Sequence, residues 1–158
     1  MERFITNTAK RLKKLNLPSW SKKMSCSEKK QGRNDHKVIV ATIIFSSLIG
    51  TYLDLLFVSK QIYAFPARPF PQVFTINIAF TLFILPICTA LFVWIMKMLP
   101  TLSKIIFIIS IGLCMSISER FAEQLGWFVH SEAWHHSYSF FGYLIFLLFM
   151  WRFYRWFQ

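Results

Sequence analysis

Asp54, Asn77, Glu119, Arg120 and Glu123 are polar residues set into, or at the edges of, long apolar runs. A carboxylate among apolar neighbours is costly unless it has a partner, so each is a candidate for a hydrogen-bonded network, a proton relay or a substrate contact. Their spacing groups them. Ser46, Gly50 and Asp54 recur every four residues, and Gly112, Ser116, Glu119, Glu123 and Gly126 follow steps of three and four. Each set therefore lies on one face of a helix. Asn77, Thr81 and Cys88 form a similar face on another run. Small residues let membrane helices approach and polar ones bond across the contact, so these faces should meet in a helix-bundle interior. The nearby cations are Arg120 and Arg68. The expected arrangement pairs Arg120 with Asp54 or Glu123, with Arg68 capping the group from a loop. The alternative is that these charges sit among wet headgroups and only mark helix ends.

A second constellation is His130-Ser-Glu-Ala-Trp-His-His136. Imidazole and carboxylate are good metal ligands, which makes His130, Glu132, His135 and His136 weak metal candidates. Glu132 and His135 have the spacing of one half of a di-iron carboxylate site, but that site needs a second such motif and two further carboxylates. The second motif is missing. Without a metal, these histidines are interfacial polar groups or a proton-sensitive patch. No Gly-rich phosphate loop and no GxSxG elbow occurs, and the 5 glycines leave little for a nucleotide loop, so no cofactor is expected. Cys26, Cys88 and Cys114 form neither a disulfide framework nor a CxxC knuckle.

The elements that would position these groups are transmembrane helices. The chain of 158 residues is 55% hydrophobic and holds 18 Phe and 6 Trp, more apolar surface than a soluble domain of this size can bury. A helix crosses the hydrocarbon core in about 20 apolar residues. Four runs qualify, at about 38–58, 74–96, 105–125 and 138–157. They predict an all-α fold, an antiparallel four-transmembrane-helix bundle over residues 38–158, preceded by a basic tail over residues 1–37.

The net charge of +11 comes largely from that tail, from Arg3 to Lys37. Beside an apolar helix it reads as an orientation signal and an attractor of anionic lipid, and no nucleic-acid recognition motif accompanies it. Placing the tail in the cytoplasm also puts Lys97, Lys104, Arg152 and Arg155 there and leaves only Lys60, Arg68 and Arg120 outside. Both termini are then cytoplasmic, in a cell membrane. Phe4, Ile5, Thr8, Leu12 and Leu15 have helical spacing suited to the lipid surface, and Ser19–Asp35 reads as flexible. Pro66, Pro69 and Pro71 stiffen the first outer loop, and Pro86 should kink the second helix. Trp127 and Trp134 suit an aromatic belt in the second outer loop. Rise per residue puts Asp54 about 6 Å and Glu119 about 9 Å inside the outer boundary, so polar groups from all four helices share one layer.

Gly50-Thr-Tyr-Leu-Asp54, the stretch from Tyr63 through Pro71 to Asn77-Ile-Ala-Phe80, and Trp127 through Trp134-His-His-Ser-Tyr138 together resemble a family of small four-helix membrane proteins of endospore-forming Gram-positive bacteria. The resemblance covers residues 38–158. It implies a bacterial cytoplasmic membrane, in sporulating cells, and brings no established activity from which a catalytic residue could be carried over. The expected function is a non-enzymatic component that binds another membrane protein, a second copy or lipid through the outer layer and the stiff loop. The alternatives are a minimal transporter using Asp54, Glu119, Arg120 and Glu123, and a metal-dependent membrane enzyme.

Overall fold

The computed structural model describes residues 20–132 and 134–158, with side chains from residue 34 onward except that of His136. The proposed surface-lying segment from Phe4 to Leu15 lies outside the described residues. The chain divides into two units, Met1–His36 and Lys37–Gln158, and the contacts below belong to the second.

Among the described residues there are four α-helices: α1 (Trp20–Ser59), α2 (Leu85–Met98), α3 (Thr101–Gln124) and α4 (His136–Phe157). The helix expected from residue 38 thus begins at Trp20, and Trp20–Asp35, expected to be flexible, is helical. That stretch holds four Lys and an Arg, whose straight side chains lose little freedom in a helix, and no proline to interrupt it. Three helical segments are long and apolar enough to cross a membrane: Asn34–Ser59, Phe80–Met98 and Thr101–Gln124. The fourth helix, α4, has 22 residues and carries Arg152 and Arg155 in its last turns.

The second helix starts later than expected. Residues Phe74–Asn77 are irregular, and Phe80–Ile84 forms a π-helical turn that leads into α2. Pro86 explains the turn. Its ring has no N–H to give and crowds the carbonyl four residues back. Widening the preceding turn moves the hydrogen bonding, so the Leu85 N–H donates to the Phe80 carbonyl five residues earlier. The irregularity expected at Pro86 is this π turn, just before the proline.

The other ends follow from local chemistry. Pro100, in extended geometry, precedes α3. Past the other end of α3, Gly126 takes φ +71°; its N–H bonds the Glu123 carbonyl (2.9 Å) and the Trp127 N–H bonds that of Ala122 (2.9 Å). This is a Schellman cap, for which glycine is the usual residue. Gly126, read from spacing as part of a packing stripe, is therefore a helix stop with open space around it. The end of α1 repeats the pattern with Gln61 at φ +57°, Gln61 N–H to Val58 O (3.0 Å) and Ile62 N–H to Phe57 O (3.0 Å). A side chain there pays a left-handed penalty of about 1–2 kcal/mol. Gln61→Gly is expected to raise stability by about 0.5–1 kcal/mol, read as a higher midpoint of thermal unfolding in micelles.

The helices of residues 37–158 share one apolar core: Val38 of α1, Phe92, Val93 and Met96 of α2, Ile108 of α3, and Met150 and Tyr154 of α4. Neighbouring helices touch through distinct pairs. Phe45 of α1 stacks on Phe153 of α4 at 4.2 Å between ring centres, and Phe92 of α2 on Phe107 of α3 at 6.2 Å. Ser46 of α1 and Thr89 of α2 share a hydrogen bond of 2.8 Å, and a side chain at Gly50 would collide with Leu85. The seam read from Ser46, Gly50 and Asp54 is thus the α1 contact face. On the next helix the seam differs from expectation, because Cys88 is exposed. Long apolar side chains cover the outer faces, among them Ile44, Leu48, Ile87, Leu91, Ile106 and Ile145. Exposed apolar surface on this scale needs lipid or protein to cover it.

Gly112 sets the α3–α4 spacing. A Cβ there would lie 3.0 Å from Leu144 Cδ2 and 3.4 Å from Phe140 Cε2. Gly112→Ala requires a shift of a few tenths of an ångström at the tip of Leu144 and should be nearly neutral. Gly112→Leu should wedge the helices apart and cost about 1–3 kcal/mol, measured as loss of unfolding temperature.

Candidate functional site

The two loops at the end opposite the apolar core are joined, which their sequences did not reveal. Tyr63–Ala64 (β1) and Val129–His130 (β2) pair as antiparallel strands, Tyr63 opposite His130 and Ala64 opposite Val129. The Ser131 N–H adds a further bond to the Ile62 carbonyl (2.9 Å). This small sheet clasps the first interhelical loop to the second. Rings pack around it. Tyr63 lies 5.5 Å from Phe57 and 5.2 Å from Phe128, Phe65 lies 5.7 Å from Phe128, and Phe57 lies 5.7 Å from Trp134. Such ring pairs add roughly 0.5–1.5 kcal/mol each beyond the area they bury.

The polar layer hangs from this clasp. The Tyr63 hydroxyl donates to Asp54 Oδ1 at 2.7 Å. Trp134 Nε1 donates to Ser139 Oγ (2.9 Å), which donates to Glu119 Oε1 (2.7 Å), and the Tyr143 hydroxyl donates to Glu119 Oε2 (3.0 Å). His130 Nδ1 lies 2.5 Å from Glu123 Oε1. One chain of contacts thus runs from Asp54 on α1 through β1 and β2 to α3 and α4. Asp54 and Glu119 both bear on Tyr63, so the two branches lie within electrostatic reach of each other.

Burial first, and then the Asp54 carboxylate beside it, push the Tyr63 phenol well above its ordinary range. A raised folded-state value means that this hydrogen bond keeps its full contribution below the unfolded phenol's value and loses it only as pH rises past it. Stability should therefore hold, on this account, up to about pH 10 and fall above it. Unfolding midpoints of the wild type and Tyr63→Phe, compared across alkaline pH, check this. The variant should lose the alkaline component.

Several expected partners are elsewhere. Arg68 does not cap the carboxylates. Its Nε donates to Phe74 O (2.7 Å), its Nη1 to Phe65 O (2.6 Å) and its Nη2 to Pro71 O (3.4 Å). The guanidinium satisfies carbonyls that the prolines, lacking N–H groups, leave without backbone partners. Arg120 is exposed, and among the described residues the partners of Asp54 and Glu123 are Tyr63 and His130 instead. The expected Arg120 pairing with Asp54 therefore gives way to a neutral phenol. A neutral donor satisfies a half-buried carboxylate without the desolvation cost of a second ion. Asn77 does not join the carboxylates either. Its Oδ1 and backbone carbonyl both accept from the Phe80 N–H, at 3.3 and 3.1 Å, and so cap the start of the second helical segment.

The histidine segment is dispersed. His130 is spent on Glu123, Glu132 is exposed, and His135 is exposed with its ring edge-on to Tyr138 at 5.6 Å; the side chain of His136 lies outside the description. Among the described residues no three His, Cys, Asp or Glu side chains converge on a point where a metal ion could sit. Ser139, expected with Tyr138 to bring the fourth helix into the polar layer, joins the network, whereas Tyr63, Trp134 and Tyr143 as members and Phe128 as the buried cover were missed by sequence reasoning. Ser139 and Tyr143, four apart in an otherwise Phe- and Leu-rich run, carried a readable signal. For the strand pairing of Tyr63 there was none.

The stiff loop presents an apolar tip. Phe70 has φ +52° and is 69% exposed, with Val73 beside it at 72%. The Val73 and Phe74 N–H groups both donate to the Phe70 carbonyl, at 2.9 and 3.1 Å. Comparison of the chain with protein-family models, with curated proteins and with solved structures finds no match.

Proposed function

We infer that this chain is a four-span protein of a bacterial cytoplasmic membrane, with both termini on the cytoplasmic side, and that it acts as a non-enzymatic component that recognises another membrane protein through its clasped outer end. The fourth span is α4, whose Arg152 and Arg155 can snorkel to the headgroups. The orientation rests on the positive charge beside the ends of the spans. The resemblance of residues 38–158 to membrane proteins of endospore formers supports the setting and suggests expression in sporulating cells.

The observation that carries the binding reading is the loop tip. Phe70, a bulky residue in left-handed backbone geometry, is held out of the fold by a loop that Arg68 and three prolines make rigid. Backbone strain of this kind costs on the order of 1–3 kcal/mol and is characteristic of binding segments. A photoreactive amino acid in place of Val73, beside Phe70 at the exposed tip, activated in native membranes, tests it. A discrete protein adduct, lost on Phe70→Gly while accumulation is unchanged, is the expected result. Adducts to lipid alone would overturn the protein-partner reading.

One observation favours a second reading. Asp54 and Glu119, on different helices, are both bonded to buried-side phenols in one layer, as a proton-handling site would require. Proton flux in reconstituted vesicles that Glu119→Gln abolishes would favour this minimal-transporter reading over the first.

A further inference from the structure

The end of the molecule opposite the clasp carries a different chemistry. Within residues 37–158 every carboxylate side chain (Asp54, Glu119, Glu123 and Glu132) belongs to the clasped half or its loops, whereas Lys37, Lys97, Lys104, Arg152 and Arg155 gather at the other end. One of these cations sits over an aromatic ring, and a second follows that ring by one helical turn. The Lys104 ammonium, in the first turn of α3, lies 5.0 Å from the centre of the Trp151 ring on α4. Trp151 in turn stacks on Tyr154, a fully buried core residue, with ring centres 5.5 Å apart. The indole is thereby fixed. Arg155 follows Trp151 by four residues, so it lies on the same face of α4, one turn farther along. Its side chain is exposed, and Trp156 beside it is 77% exposed.

One cation therefore lies over an indole packed on the core and a second is one turn away on the same helix face, while the carboxylate side chains of residues 37–158 are all toward the other end. This is the chemistry that recognises an anionic phospholipid. The guanidinium fork and the ammonium take the phosphate oxygens, and the indole and the apolar rim take the glycerol and upper acyl region. We propose that Lys104, Trp151 and Arg155 form a specific inner-leaflet binding site for an anionic phospholipid headgroup. This is separate from the diffuse attraction of the basic tail, because it is built from the α3–α4 contact and held by the core.

The site rests on the four-span reading, and the experiment keeps the two apart. The full chain and its variants are reconstituted into vesicles of phosphatidylcholine alone, where correct insertion tests the spanning reading without any anionic lipid. Parallel vesicles contain photoreactive phosphatidylglycerol or photoreactive phosphatidylcholine at equal mole fraction, and the adducts are mapped by peptide. Labelling of the peptides holding residues 97–104 and 151–157 should be severalfold greater with the glycerol lipid. Lys104→Gln and Arg155→Gln should each reduce that preference roughly fivefold, the weight of one basic residue near a membrane surface. Trp151→Leu, which retains both charges, should also reduce it. Arg120→Gln and Lys60→Gln, at the other end, should leave it unchanged. Equal labelling by the two lipids, or a preference that survives the Lys104→Gln/Arg155→Gln double variant, would overturn the site even in a correctly inserted protein.

Discussion

Replacing Glu119 with Leu should unfasten α4 from α3 and lower stability by about 2–4 kcal/mol. Glu119 accepts from Ser139 and from Tyr143, and Ser139 accepts from Trp134. Deleting the carboxylate strands two donors, the Ser139 and Tyr143 hydroxyls, while Trp134 keeps Ser139 as its acceptor. Hydrogen bonds to a charged acceptor contribute about 1.5–3 kcal/mol each in soluble proteins, but bonds between membrane helices average only about 0.6 and reach about 1.7 kcal/mol. With α4 as the fourth span, as proposed, the lower figures apply to the bonds themselves, and the orphaned donors add their desolvation cost, which gives the range stated. Glu119→Gln is the informative companion. It preserves the volume and one carbonyl acceptor, and a tyrosine hydroxyl can turn to accept from its amide. It should lose no more than about 1 kcal/mol. Thermal unfolding in micelles, followed by tryptophan fluorescence because Trp134 reports on the network, separates the two. Equal losses from Leu and Gln would show that the negative charge, and not the hydrogen-bond pattern, is what the layer needs.

Tyr154→Ala should produce a comparable loss at the other end, about 2–4 kcal/mol. Tyr154 is fully buried against Met96, Met150 and Val93, and Trp151 stacks on it. Emptying such a site in a soluble core costs about 3–5 kcal/mol, of which part is transfer from water. Where the alternative environment is lipid that transfer contribution shrinks, and mainly the lost packing remains. Tyr154→Phe retains the ring and should recover most of the loss. The two substitutions probe opposite ends of the helices. If residues 37–158 unfold cooperatively, each should shift the same single transition. Two transitions that respond separately would mean that the clasped end and the apolar core unfold as distinct units.

Much of the architecture was legible from local rules. Apolar runs near 20 residues located the helices, Pro86 marked the irregular turn, and the spacing of Ser46, Gly50 and Gly112 identified contact faces, because helical periodicity is a property of neighbours along the chain. The boundaries were less legible. Trp20–Asp35 looked flexible because it is polar, although it holds no proline and its Lys and Arg side chains suit a helix that continues into the apolar run. Phe74–Asn77 looked helical because it is apolar, although Asn77 caps a helix that starts after it.

The layer of polar groups with which the sequence reading began is where the limit lies. Position along each helix was enough to put Asp54, Glu119 and Glu123 toward one end of the helices, since each depends only on distance along its own helix. Charge alone suggested Arg68 and Arg120 as their partners, and that was mistaken. Which side chains meet them depends on strand register and on the rotation of α4 against α3. Neither is encoded over short distances. Two residues of β1 and two of β2, separated by more than sixty positions, carry no period of their own, yet their pairing brings His130 opposite Tyr63. The Tyr63 hydroxyl then reaches Asp54, and the imidazole reaches Glu123. Only the tertiary fold decides that phenols, a serine and a histidine satisfy these carboxylates, while Arg68 is used to hold together a loop whose prolines cannot donate.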